Sequence, residues 1–240
     1  MNQSLLQSAW RAHQSGNLNE AARLYAECLR TNPGDADALY LLAQLHFQAG
    51  HLNEAERLAG EAARRRPAAP EIWFLRGSVQ QQQNDHAAAF DSFGRALALQ
   101  PRFPEVLVNR GGSLMMLKRY GDALADFDAA LALNPNLAQA WNNRGNALSE
   151  LGRHAEAADS YARVLALHPG IPQALVNRGT ALLAMGRAAD AHTSYDEALR
   201  ADPANADALC GRANAAYEMR AYEAAAGDYA AVLRRSEEHT

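Results

Sequence analysis

Apolar residues recur along this chain with a helical step. Trp141, Gly145 and Leu148 fall at i, i+4 and i+7, one face of a helix. After Gly152 the same step returns in Ala157, Tyr161 and Val164, and Pro169 closes the segment. The pattern predicts two helices joined by a glycine turn and stopped by a proline, which lacks an N–H and clashes with the preceding turn. This hairpin recurs. Pro33, Pro67, Pro101, Pro135, Pro169 and Pro203 are spaced by 34 residues without a slip. With this proline at position 32, the repeats run 2–35, 36–69, 70–103, 104–137, 138–171, 172–205 and 206–234, the last truncated. Position 20 is Ala in all seven: Ala21, Ala55, Ala89, Ala123, Ala157, Ala191 and Ala225. Position 8 is Ala or Gly, and position 24 is aromatic except at Ala59. Small residues at positions 8 and 20 are expected to let the helices approach, with the ring at position 24 filling the space left. No single hairpin buries its apolar face, so stability must come from neighbours.

Composition supports helices. The chain has 53 Ala (about 22%) but only 2 Ile, 6 Val and 4 Thr. A sheet needs β-branched residues on its pleated faces, and Ala, Leu, Arg, Glu and Gln cost a helix least. With 23 Lys+Arg against 27 Asp+Glu, the net charge of −4 argues against a nucleic-acid footprint. No apolar run reaches the ~18 residues of a membrane span, and Met1-Asn2-Gln3-Ser4 opens no secretory signal, so a cytoplasmic location is expected. Cys28 and Cys210 lie too far apart in sequence to suggest a disulfide framework or metal knuckle.

Trp141, Gly145, Leu148, Ala157, Tyr161 and Pro169 together resemble the tetratricopeptide repeat, and the likeness extends over the whole chain. It implies an all-α, right-handed α-solenoid of helix–turn–helix repeats, a superhelix whose first helices line a concave groove that binds extended peptides or partner helices. Two departures stand out. Gln80 occupies the apolar position 11 of repeat 3, and Ser8-Ala9 replaces the usual Leu-Gly in repeat 1. Those two repeats are expected to pack less tightly.

Positions 2, 6, 9 and 13 lie opposite the core face at 100° per residue. Position 6 reads Asn109, Asn143 and Asn177 in successive repeats, with Asn142 beside it at position 5 and Asn146 and Asn214 at position 9. Asn costs up to ~0.7 kcal/mol more than Ala inside a helix, so its recurrence in an Ala-rich chain needs a reason. One is an ordinary solvated face or repeat duplication. The other is a ladder: first helices ~8–10 Å apart would present one carboxamide to every third residue of an extended peptide rising ~3.3 Å per residue. Each carboxamide donates and accepts, so the ladder would read backbone. This is similar to the repeat groove of O-linked N-acetylglucosamine transferases. The chain would then be the substrate-docking region of a longer glycosyltransferase, as the alternative to a protein–protein interaction scaffold with a groove in repeats 3 to 7. Position 2 carries Asp37, Glu71, Glu105 and Asp207 and no cation; a C-terminal carboxylate is disfavoured there, and a basic or neutral partner segment is preferred.

No His-Glu-x-x-His, Gly-x-Ser-x-Gly or phosphate loop is present, so no catalytic residue, cofactor or metal is expected in this chain. Asp35-Ala36-Asp37 and Asp126-Phe127-Asp128 resemble metal-binding Asp-x-Asp but fall in repeat frame. Arginine at position 7 recurs from repeat 3 onward. Arg110 with Asp126, and Arg212 with Asp228, are expected to pair across their hairpins and fix helix register. Residues 235–240, Arg235-Ser236-Glu237-Glu238-His239-Thr240, resemble a translated sequencing adapter and are read as a non-native tail, the alternative being a polar frayed terminus. A fragment of a longer gene is expected, with repeat 7 uncapped and open to self-association.

Overall fold

The computed structural model describes residues 2–238, and the side-chain environment of residues 4–234. The described residues form fourteen helices and no strand, an all-α helical repeat solenoid. In chain order they are α1 (Asn2–Gln14), α2 (Leu18–Thr31), α3 (Ala36–Gln48), α4 (Leu52–Arg65), α5 (Pro70–Gln82), α6 (His86–Leu99), α7 (Pro104–Met116), α8 (Tyr120–Leu133), α9 (Ala138–Glu150), α10 (His154–Leu167), α11 (Pro172–Ala184), α12 (Ala188–Ala201), α13 (Ala206–Glu218) and α14 (Tyr222–Glu238). They divide into two compact units, Met1–Lys118 with α1 to α7 and Arg119–Thr240 with α8 to α14. The division falls between the two helices of the fourth repeat. Residues 235–238 continue α14, whereas His239 and Thr240 of the suspected tail lie outside the described residues.

Local chemistry sets the helix limits. Asn17, Asp35, Asp85 and Asn205 cap helices through side chains that accept the N–H three residues on. Pro70, Pro104 and Pro172 open α5, α7 and α11, where a missing N–H costs nothing. Each first helix ends in a left-handed residue at position 15, with φ of 78° at Gly16, 76° at Gly50, 72° at Gly152 and 73° at Gly186. There the N–H of Asn17 reaches back to the carbonyl of Ala12 at 2.9 Å, the closing bond of a Schellman turn. Three repeats hold the same backbone without glycine: Asn84 (62°), Lys118 (58°) and Arg220 (62°). Left-handed backbone costs an L-residue roughly 1–2 kcal/mol, so the hairpin overrides the local preference.

Packing follows from the alternation of small and aromatic residues. A Cβ added to Gly145 would sit 2.6 Å from Cε1 of Tyr161, one on Gly77 2.6 Å from Cε1 of Phe93, and one on Gly179 2.9 Å from Cε1 of Tyr195. The rings therefore lie directly against the backbone of the partner helix, and Tyr25, Phe93 and Phe127 are fully buried. Neighbouring repeats are joined by position 4, where the indole N–H of Trp73 donates to the carbonyl of Pro67 and that of Trp141 to Pro135, each at 2.8 Å. The expected looseness of repeat 3 is corrected. Gln80 is buried, its amide donating to Glu56 Oε1 at 3.1 Å and its carbonyl accepting from Ser92 Oγ at 2.7 Å. Position 23 supplies a polar partner, so no unsatisfied amide is left in the core.

Gly145→Ala should destabilise the chain by about 1–3 kcal/mol, because the new methyl must displace the Tyr161 ring; a urea denaturation midpoint measures it. Burial pushes the phenol of Tyr25 up to about 12 and raises those of Tyr161 and Tyr195. An unfolded tyrosine ionises near ~10, so the unfolded chain loses these protons first. Stability should be fully present below pH ~10 and fall as pH rises from there through the folded values. Tyr161→Phe should shallow that fall in midpoints taken across this alkaline range.

Candidate functional site

The candidate residues occupy positions 5, 6 and 9 of the first helices, beside the position-2 acids and away from the small residue at position 8. In the second unit Asn142, Asn143 and Asn146 share α9, Asn177 stands on α11 and Asn214 on α13. The first four are half-buried and Asn214 is exposed. Neither Asn142 nor Asn143 makes a side-chain hydrogen bond among the described residues, so both amides are open. Asn177 is engaged twice. Its Oδ1 accepts from Gln173 Nε2 at 2.9 Å and its Nδ2 donates to Asn146 Oδ1 at 3.4 Å. In the first unit, Asn109 is half-buried on α7, and its backbone carbonyl accepts from Gln81 Nε2 at 3.1 Å.

The position-9 asparagines have a duty that the sequence reading did not assign. Tyr161 donates its hydroxyl to Asn146 Oδ1 at 2.8 Å, and Tyr229 to Asn214 Oδ1 at 2.5 Å. Thr180, at the same position, shares a 3.0 Å hydrogen bond with Tyr195. A buried phenol needs a partner, and position 9 supplies one for the tyrosines of repeats 5, 6 and 7. The signal was present in the repeats themselves. The two with phenylalanine, Phe93 and Phe127, carry Ser78 and Gly112 at position 9, and Tyr25 finds His13 Nδ1 at 3.4 Å instead. Gly211 replaces the position-6 asparagine in repeat 7 for a steric reason, since a Cβ there would collide with the Tyr195 ring.

The position-7 arginines form bridges. Arg212 holds Asp228 across its own hairpin through Nε at 2.8 Å and Nη2 at 2.7 Å, and Asp196 of the preceding repeat through Nη1 at 2.5 Å. Arg144 likewise reaches Asp128 of the preceding repeat at 2.6 Å and Ser160 of its own at 2.8 Å. Arg76 reaches Glu56 at 2.8 Å. Position 23 is polar in repeats 3 to 7, where position 7 is arginine, and Leu24 or Leu58 in the two repeats where it is not. In the first unit Arg110 lies over the Phe90 ring at 5.7 Å; in the second Asp126 is buried. Paired carboxylates raise the Arg212 guanidinium above its ordinary range, its hydrogen bond to Asp228 contributing most.

A feature of the first unit was missed from sequence. Leu6 and Trp10 of α1 and Tyr40 and Leu41 of α3 surround a notch of about 350 Å³ that also touches Gln7, Asp37 and Arg66. These apolar residues occupy positions 5, 6 and 9, where the second unit carries asparagine, and Trp10 is 42% exposed. Arg66 donates to Glu71 Oε1 at 2.9 Å through Nη2 and pairs closely with Asp37 through Nη1. Both Asp-x-Asp segments are structurally occupied, Asp35 capping α3, Asp37 paired with Arg66 and Asp128 with Arg144. Among the described residues no cluster of three His, Cys, Asp or Glu could hold a metal, and no helix is long and apolar enough to cross a membrane.

Comparison with known proteins agrees with the repeat architecture. Models of the tetratricopeptide repeat match residues 12–78, 80–137, 109–172 and 176–239. No curated protein matches the chain. Among solved structures it is similar to YrrB, described as a TPR protein with an unusual peptide-binding site, at 24% identity over 78% of this chain and 97% of that one, TM-score 0.71. It is similar to a tetratricopeptide repeat protein from Parabacteroides merdae at 19% identity over 97% and 92%, TM-score 0.72. PilW, a type IV pilus biogenesis factor, aligns at 24% identity over 83% and 92%, TM-score 0.71. At these identities the likeness establishes the fold.

Arg212→Met should destabilise the second unit by about 1–3 kcal/mol, leaving Asp196 and Asp228 facing each other without the cation between them. The loss should shrink in an Asp196→Asn, Asp228→Asn background, a coupling that a double-mutant cycle on denaturation midpoints reads directly.

Proposed function

The chain belongs to the tetratricopeptide repeat family, and on that basis we propose that it is a protein–protein interaction scaffold that takes an extended peptide along the faces of its first helices. The observation that carries this reading is the placement of Asn143 and Asn177 at the same position of α9 and α11, both half-buried, with the Asn143 amide unengaged. A carboxamide in that state donates to one peptide carbonyl and accepts from one peptide N–H. Helices ~8–10 Å apart match three residues of extended chain. Asn177 must exchange its bonds to Gln173 and Asn146 for bonds to the ligand, which keeps its net contribution near the ~0.5–1.5 kcal/mol of an exchanged hydrogen bond. Recognition of backbone leaves side-chain selectivity broad. Asn142 widens the same face, and Asn109 offers equivalent chemistry on α7 of the first unit.

The acidic position-2 residues favour basic or neutral segments over acidic ones. YrrB, whose structure is described as having a peptide-binding site, supports the reading by analogy of fold. The alternative role, as the docking arm of a longer glycosyltransferase, draws on the same asparagines. The two are separated by the downstream reading frame, where a nucleotide-sugar-binding fold would favour the second. The reading itself is tested on a random peptide array probed with the full chain. Asn143→Ala, Asn177→Ala together should weaken capture of the retained peptides about 10-fold, with an unchanged melting curve. Unchanged capture would refute the asparagine face.

A further inference from the structure

We propose that the notch on the first unit is an anchor for one bulky aliphatic or aromatic side chain of an extended segment that carries Lys or Arg at three-residue intervals beyond it. The proposal rests on the scaffold reading above and names the chemistry of the partner at one place. Leu6, Trp10, Tyr40 and Leu41 give the notch apolar walls and two aromatic faces, and about 350 Å³ suits one large side chain with little besides. Trp10 meets the edge of His13 within repeat 1, ring centroids 5.9 Å apart, yet leaves 42% of its surface exposed, so much of its indole stays open to a ligand at the notch.

Charge fixes what flanks the anchor. Asp37 and Glu71 share the single cation of Arg66, a trio with net charge −1, and Glu105 stands exposed at the same position of α7. Asp37, Glu71 and Glu105 thus form a row on α3, α5 and α7, one acid per repeat. With adjacent first helices ~8–10 Å apart, an extended chain advances about three residues between acids. An acidic segment would be repelled along this row and a neutral one would gain nothing from it. Burial and the neighbouring Glu71 carboxylate raise the Tyr40 phenol, which like any tyrosine with a pKa of ~10 or above is protonated at neutral pH and able to donate at the notch wall.

The probe is a fluorescein-labelled nonapeptide, Ser-Gly-Phe-Ser-Gly-Lys-Ser-Gly-Lys, titrated with the full chain by fluorescence anisotropy in low salt. Matched peptides replace the Phe by Ala, or both Lys by Glu. Each replacement should weaken binding at least 10-fold, and added salt should weaken the parent peptide. On the protein, Leu41→Glu and Trp10→Ser should abolish binding of the parent peptide, and Glu105→Lys should weaken it about 3- to 10-fold. Trp10 and Glu105 are exposed enough for those variants to fold, which circular dichroism melting verifies even where Leu41→Glu does not. Equal binding of the three peptides, normal binding to the notch variants, or no binding of the parent peptide overturns the proposal. So does sedimentation that becomes concentration-dependent and is cured by Trp10→Ser, which would make the occupant a second copy. Peptide capture by the asparagine face alongside a silent notch would sink this inference alone; an empty array with a silent probe would sink both.

Discussion

The close approach of an aromatic ring to a backbone that carries no side chain is the constraint on which the hairpins of repeats 3, 5 and 6 depend. Two helices packed through ordinary side chains leave a ring no room between them. Glycine at position 8 admits the ring of Phe93, Tyr161 or Tyr195 directly onto the opposing helix. The ring, once buried, dictates the chemistry at its tip. Phenylalanine needs nothing more, whereas tyrosine requires a hydrogen-bond partner there, and the residue next to the glycine in sequence provides it. The choice of residue at position 9 of α9 and α11 is thus partly decided by a ring inside the hairpin.

That coupling changes how the asparagines are understood. Asn146 satisfies the buried Tyr161 and Asn214 the exposed Tyr229, while Asn142 and Asn143 satisfy nothing within the described chain. Residues with a structural duty and those proposed for recognition are therefore separated by a few positions on one helix. The same division holds for charge. The position-7 arginines Arg76, Arg144 and Arg212 are bound to carboxylates and hydroxyls of their own and preceding repeats, so they are poor candidates for ligand contacts, whereas Glu105 is exposed on the outward face.

Much of this was legible in the sequence because it repeats. The proline spacing, the invariant Ala at position 20 and the ring at position 24 mark helix ends and packing faces, and the helices begin and end accordingly. Gly16, Gly50, Gly152 and Gly186 announced the left-handed turn, but Asn84, Lys118 and Arg220 did not, because tertiary packing imposes a backbone their chemistry disfavours. Arg212 with Asp228 could be read from spacing within a hairpin; its second partner, Asp196, could not, since it depends on how one repeat seats on the previous one. The notch escaped because Leu6, Trp10, Tyr40 and Leu41 are apolar, and an Ala- and Leu-rich chain offers no contrast against which outward apolar residues stand out. Gln80 misled for the opposite reason: a polar residue at a core position reads as a defect until its partners Glu56 and Ser92 are seen.

The hydrogen bonds and ion pairs described among these residues, from the indole of Trp141 on Pro135 to the three-way contact of Arg212, run within one repeat or to the adjacent one. Unequal recombination between two repeats would remove or add a whole period and rejoin like ends to like. Array length can therefore drift in a lineage while every junction stays chemically familiar, and the reach of the proposed binding face can be reset by gene duplication rather than by point substitution.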